Sequence, residues 1–90
     1  MTVRYDPAFL KQLKKLEVRV RKSFKEKIAI FVLDPFSPQL DNHPLSKKYE
    51  GYRSIDITND YRALYQEKLE GDEVVGFFTA IGTHVKLYER

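Results

Sequence analysis

The spacing of apolar residues changes at Asp34-Pro35, and this restricts the chain to helices over the stretch before it and strands over the stretch after it, apart from a short opening strand. Before that point Phe9, Leu10, Leu13 and Leu16 recur at helical spacing, with Lys11, Lys14 and Lys15 turned elsewhere. This pattern predicts an amphipathic helix of about three turns whose apolar stripe is core. Asp6-Pro7 supplies its start, an N-cap acceptor followed by a proline whose missing N–H costs nothing at the first helical position. After a break near Glu17–Arg19, Val20, Phe24, Ile28 and Phe31 carry a second helix. It ends at Asp34 because the residue before a proline disfavours helical backbone. The two helices are expected to form an antiparallel hairpin.

Beyond Gly51 the pattern differs. Tyr52–Ile57, Tyr61–Lys68 and Glu73–Ile81 are rich in β-branched and aromatic residues, with the turn formers Thr58-Asn59-Asp60 and Glu70-Gly71-Asp72 between them. They predict a three-stranded antiparallel meander. Thr2–Tyr5 alternates as a short strand and is expected at a sheet edge. The fold class is therefore α+β, in the order strand, helix, helix, then three strands, with both helices packed on one sheet. Between the halves, Asp34 to Gly51 holds Pro35, Pro38 and Pro44 without sustained periodicity. A structureless stretch of this length in a compact domain is more often functional than idle, and His43 lies inside it.

Ninety residues allow one domain with one modest core, so any activity must sit on the surface or in a shallow cleft. The absence of cysteine excludes disulfides and thiolate metal sites, and fits a reducing cytoplasm. No apolar run approaches the roughly 20 residues of a membrane span, and Met1-Thr2-Val3-Arg4-Tyr5 lacks the apolar core of a signal peptide. The net charge of +3 conceals an asymmetry: residues 1–27 carry nine Lys/Arg against three acids, and residues 28–90 seven against ten. A basic helical half suits a polyanion such as RNA or an acidic protein segment, although a solvated helix face has the same composition.

Residues capable of chemistry cluster in the second half. The segment Gly82-Thr83-His84-Val85-Lys86-Leu87-Tyr88 puts an imidazole and a phenol near each other at the end of a strand. Cutting RNA without a metal requires a group to draw the 2′-hydroxyl proton, a cation for the phosphate oxygens, and a proton for the leaving 5′-oxygen. His84 is suited to proton transfer because an imidazole can give or take a proton at neutral pH; a hydrogen-bonded structural histidine is the competing reading. Arg53, Lys47 and Lys48 could position an RNA backbone, or be solvated charges. Tyr88 and Tyr61 could stack on a splayed base, with core packing as the rival for Tyr61.

Asn42-His43-Pro44-Leu45, Gly51-Tyr52-Arg53, Asn59-Asp60-Tyr61-Arg62-Ala63-Leu64-Tyr65 and Ile81-Gly82-Thr83-His84 with Leu87-Tyr88 resemble the RelE/YafQ-type toxins of the RelE/ParE superfamily. The likeness covers nearly the whole chain, by pattern alone in the helices and by spaced motifs in the second half. It implies the toxin of a type II toxin–antitoxin pair that cleaves mRNA in the ribosomal A site, with no cofactor or metal. It implies functions at four positions: His84 in proton transfer, Arg62 on the scissile phosphate, Asp60 as a site carboxylate, and His43 of His-Pro-Leu as a second acid or base. Asp60 is also an ordinary turn residue, and His43 could equally cap or pack beneath the sheet. The chain departs from the YafQ-like pattern at two places, with Asp56 where a strand histidine is expected and Ala80 where an arginine precedes Gly-Thr-His.

The implied partners are a small antitoxin, the ribosome and mRNA, with DNA contacted only through the antitoxin complex and no membrane. Three other readings stay open. A ParE-like toxin inhibits DNA gyrase by binding, with no catalytic role for His84 or Arg62. A catalytically weak module would bind only its antitoxin or RNA. A metal-dependent hydrolase could draw on His43, Asp60 and His84, but no close spacing such as His-x-x-x-His is present.

Overall fold

A computed structural model describes residues 1–88. Strand β1 (Thr2–Tyr5) leads into helix α1 (Pro7–Lys14). The Asp6 carboxylate caps α1 by accepting from the Ala8 backbone N–H at 2.9 Å, with Pro7 at the first helical position. At eight residues α1 has about two turns, shorter than expected. Helix α2 (Val18–Leu33) starts within the region expected to break. It ends at Asp34, whose φ of −153° and ψ of 90° match the extended backbone a following proline demands.

Four strands and a short helix complete the ordering along the chain. Strand β2 (His43–Pro44), β3 (Arg53–Asp56), β4 (Tyr61–Glu70) and β5 (Glu73–Thr83) are followed by a short helix, α3 (His84–Tyr88). The five strands form one sheet in the order β1-β5-β4-β3-β2. The meander β3-β4-β5 is antiparallel as expected, and β1 lies at an edge, parallel to β5. The β4–β5 turn is the pair Gly71-Asp72, with Gly71 at φ 62°, a conformation a glycine reaches without a steric penalty.

The segment 34–51 is more ordered than its composition predicts. It holds 3-10 turns at Pro38–Leu40 and Lys47–Tyr49 besides β2. Asn42 fastens it: its side-chain amide donates to the Pro35 carbonyl at 2.8 Å and to the Tyr65 hydroxyl at 2.7 Å, and its oxygen accepts from Arg53 Nε at 2.8 Å. Leu40 is fully buried in the core. A loop tied by side chains across 7, 23 and 11 positions carries no local periodicity to read.

The core lies between the helices and one sheet face. Phe9, Phe24 and Phe78 meet with ring centroids 5.5 to 6.4 Å apart, and Phe31 lies 5.0 Å from Tyr65 and 5.3 Å from Phe78. Leu10, expected in the apolar stripe, is 45% exposed, because a two-turn helix buries a narrow face. Gly76 leaves room for the Phe31 ring, which would lie 3.1 Å from a Cβ at that position. A bulge in β5 pairs Leu64 with Ala80 and Tyr65 with Phe78, so Thr79 has no opposite residue. The extra residue turns both Phe78 and Ile81 toward the helices and leaves Gly82 opposite Arg62 on the other, open face.

Candidate functional site

Alternation along β3 and β4 separates two sets of side chains. Ile55, Ala63 and Tyr65 belong to the core, while Ser54, Asp56 and Arg62 alternate with them and occupy the open face. Above that face, β2 from one side and α3 from the other enclose a pocket of about 430 Å³. His43, Tyr49, Ser54, Arg62, His84 and Tyr88 line it, with Asp41, Leu45 and Ser46 at the β2 side.

His43 reaches the pocket because β2 pairs it with Ser54. Its Nδ1 lies 2.8 Å from the Asp41 backbone carbonyl. A carbonyl can only accept, so Nδ1 carries the hydrogen, and in the neutral ring the lone pair falls on Nε2, the arrangement of a proton acceptor. Asp41 takes a left-handed backbone, φ 47°, to make this turn.

His84 follows directly on β5 and begins α3, so the expected strand end continues as one helical turn. Its backbone N–H donates to the Asp60 carbonyl at 2.9 Å, and its ring packs on Tyr88 with centroids 4.6 Å apart. Three contacts hold α3 in place. Thr83 Oγ1 accepts from the Lys86 N–H at 3.1 Å, Leu87 packs over Gly82, and the Tyr49 hydroxyl donates to the Leu87 carbonyl. Tyr49 also meets Tyr88 edge to face at 5.6 Å.

Arg62 is more constrained than its sequence setting suggests. Its Nη1 is shared among the carbonyls of Thr58, Asn59 and Tyr61 at 3.0, 3.0 and 3.1 Å. Its Nε lies 3.0 Å from Asp56 Oδ1. That contact is an ion pair out of line for a hydrogen bond: among the described residues, buried Asp56 Oδ1 and Ser54 Oγ have no hydrogen-bond partner. Burial pushes the Asp56 carboxyl above its ordinary value, and nearby Asp41 adds to this, against the lowering by Arg62, His43 and Lys27.

Of the residues expected to act together, His43, Arg62, His84 and Tyr88 converge on the pocket. Lys47 and Lys48 line a neighbouring hollow of about 300 Å³ that shares Tyr49 and Tyr88 with it, so they stand at the rim. Three others are placed elsewhere. Asp60 offers its backbone carbonyl to His84 while its side chain is exposed at the turn. Arg53, opposite Tyr65 in the ladder, binds Asn42 and lies 5.1 Å over the Phe36 ring. Tyr61 packs against the core and lines a separate groove with Gln12 and Leu16. The even spacing of strand residues explains both displacements: Arg53 and Tyr61 are each one residue from a pocket-facing neighbour and so point to the other face.

The sequence reading missed Asp41, Tyr49 and Ser54. Ser54 was legible in principle, two residues before Asp56 on the same strand face; Tyr49 acts through a contact 38 positions away and has no local signal. Among the described residues no group of three or more His, Cys, Asp or Glu side chains is placed to hold a metal ion. None of the described helices is long and apolar enough to cross a membrane.

The arrangement of strand, helices and five-stranded sheet recurs in solved toxins. A YoeB/ParE toxin from Agrobacterium tumefaciens superposes with a TM-score of 0.73 at 20% identity, covering 93% of this chain and 99% of that one. YafQ from E. coli strain BL21(DE3) gives 0.75 at 22% identity, with 96% of each chain covered. The RelB-RelE antitoxin-toxin complex from Methanococcus jannaschii gives 0.67 at 22% identity, with 94% of each covered. No curated protein matches the chain in sequence. Residues 3–88 match the family described as the ParE toxin of the type II toxin-antitoxin system parDE, and the chain belongs to that family, within the RelE/ParE superfamily of toxins.

Proposed function

We propose that the open-face pocket cuts mRNA on the ribosome by metal-independent acid–base chemistry. The observation that carries this reading is the convergence of two imidazoles and one guanidinium on a single pocket, His43, His84 and Arg62, with Tyr49 and Tyr88 at its walls. In the step proposed, His43 Nε2 takes the 2′-hydroxyl proton and the 2′-oxygen bonds to phosphorus. The bond from phosphorus to the 5′-oxygen breaks, and protonated His84 gives its proton to that oxygen. The products are a 2′,3′-cyclic phosphate and a 5′-hydroxyl end. Arg62 stabilises charge on the phosphate oxygens, and Tyr88 offers a face to an unstacked base. Asp60 supports His84 through the backbone, Lys47 and Lys48 position the strand at the rim, and Arg53 and Tyr61 serve the fold.

The partner in this reading is an antitoxin, as in the RelB-RelE antitoxin-toxin complex. The basic helical half suits an extended acidic segment of such a partner. The family match favours one other reading, inhibition of DNA gyrase by binding.

Primer extension on an mRNA translated in a cell-free system separates the two. Cuts that require ribosomes and vanish with folded His84→Ala are the expected outcome. Intact mRNA together with lost gyrase supercoiling would transfer the function to the second reading.

A further inference from the structure

Arg62 is the cation of the pocket, yet its Nη1 and Nε are already engaged. Three carbonyls share Nη1, and the Asp56 carboxylate stands 3.0 Å from Nε. Asp56 and Arg62 are directly opposed across the β3–β4 ladder, so the pairing is built into the register. Their side chains are 31% and 21% exposed, too little for water to screen the charges fully. A guanidinium beside a fixed carboxylate presents little net charge to an arriving phosphate.

From this geometry we propose that Asp56 is a positioning residue, an internal anion that holds Arg62 flat on the open face and must yield it, at least in part, when an RNA phosphate binds. The proposal rests on the reading that Arg62 receives that phosphate. It adds that the chain carries its own competitor for the subsite.

The local chemistry favours a competitor over a permanent structural pair. Asp56 Oδ1 is buried and, among the described residues, receives no hydrogen bond, so the ionised carboxylate is poorly solvated where it stands. The titratable and charged groups around Asp56 are Arg62 from β4, His43 on β2, Asp41 before β2, and Lys27 from α2. A phosphate would add a second anion to Arg62, and the cheaper response is for Asp56 to take up a proton. Phosphodiester binding is therefore coupled to protonation of Asp56 and tightens as pH falls toward the carboxyl range.

The probe is a short RNA with 2′-O-methyl groups at every sugar, a phosphodiester that stays ionised and cannot be cut by 2′-hydroxyl attack. Two readouts are used: its affinity, and the carboxyl carbon resonance of Asp56 in the wild-type protein. In the wild type, saturation with the probe should move the Asp56 titration to higher pH. Asp56→Asn should bind the probe about 5-fold more tightly at pH 7, the scale of a partly exposed ion pair, and the difference should close as pH falls. Asp56→Glu should stay near wild type. An unmoved Asp56 titration, or equal or weaker binding by folded Asp56→Asn, overturns the proposal. If Arg62→Gln binds the probe as the wild type does, the phosphate role of Arg62 fails instead, which distinguishes the two failures.

Discussion

On the helix-covered face of the sheet, Phe9, Phe24, Phe31, Tyr65 and Phe78 meet ring to ring, and Ile55 and Ala63 are fully buried beside them. On the open face, Ser54, Asp56 and Arg62 stand under two histidines, with an ion pair and two buried oxygens without hydrogen-bond partners among the described residues. The same strands supply both sets, one residue apart. One face is satisfied by burial, with the Tyr65 hydroxyl paired to Asn42, whereas the other leaves polar groups incompletely paired, at a cost to folding. Such local costs are characteristic of places where a ligand is handled, and under the proposed function stability and chemistry divide between the faces.

Substitutions on each face test how complete this division is. The largest effect on folding is expected on the helix side. Phe78→Ala or Phe24→Ala should cost about 3–5 kcal/mol in denaturant unfolding, since each opens a cavity among fully packed rings. An unchanged midpoint would place the core elsewhere. On the open face, His84→Ala should leave the melt within about 0.5 kcal/mol and slow cleavage about 10²- to 10⁴-fold. A large loss of stability would demote His84 to a structural role.

Tyr65→Phe probes the link between the faces. It removes one bond to Asn42, which anchors the loop leading to His43, and should cost about 1–2 kcal/mol. Cleavage by the folded variant should fall far less than with His84→Ala. A comparable fall would mean the faces are not separable.

The smallest effect concerns pH. The Asp56 carboxyl is raised in the folded chain, chiefly by burial, so the native state holds its proton more tightly than the unfolded state. Stability from this group is present below the unfolded value, about 3.9, and is lost as pH rises through the folded one. Asp56→Asn should therefore melt slightly higher at pH 7, with the gain gone near pH 3. A variant less stable at neutral pH would show that attraction to Arg62 outweighs burial.

Much of the fold was legible because it is periodic. Val20, Phe24 and Phe31 keep helical spacing and are buried, and the three central strands announce themselves by β-branched and aromatic residues between turn formers. The site was legible in its chemistry but less so in its geometry. His84 and Tyr88 were singled out by residue type and setting, His43 and Arg62 by the family resemblance, and the four converge on the pocket. Arg53 and Tyr61 lie on the helix side because each stands one residue from a pocket-facing neighbour on a regular strand, and the two-residue edge strand that brings His43 to the pocket has no sequence signal. Tyr49 escaped notice since its hydroxyl works on the Leu87 carbonyl, a contact that exists only once α3 has folded back over β5.

The most direct test of an open-face ribonuclease is single-turnover cleavage of a translated mRNA carrying one 2′-deoxy sugar at the mapped cut. Attack by the 2′-oxygen predicts that the deoxy message resists cutting there, while the ordinary message yields a 2′,3′-cyclic phosphate end. Equal cutting of both messages would contradict the account.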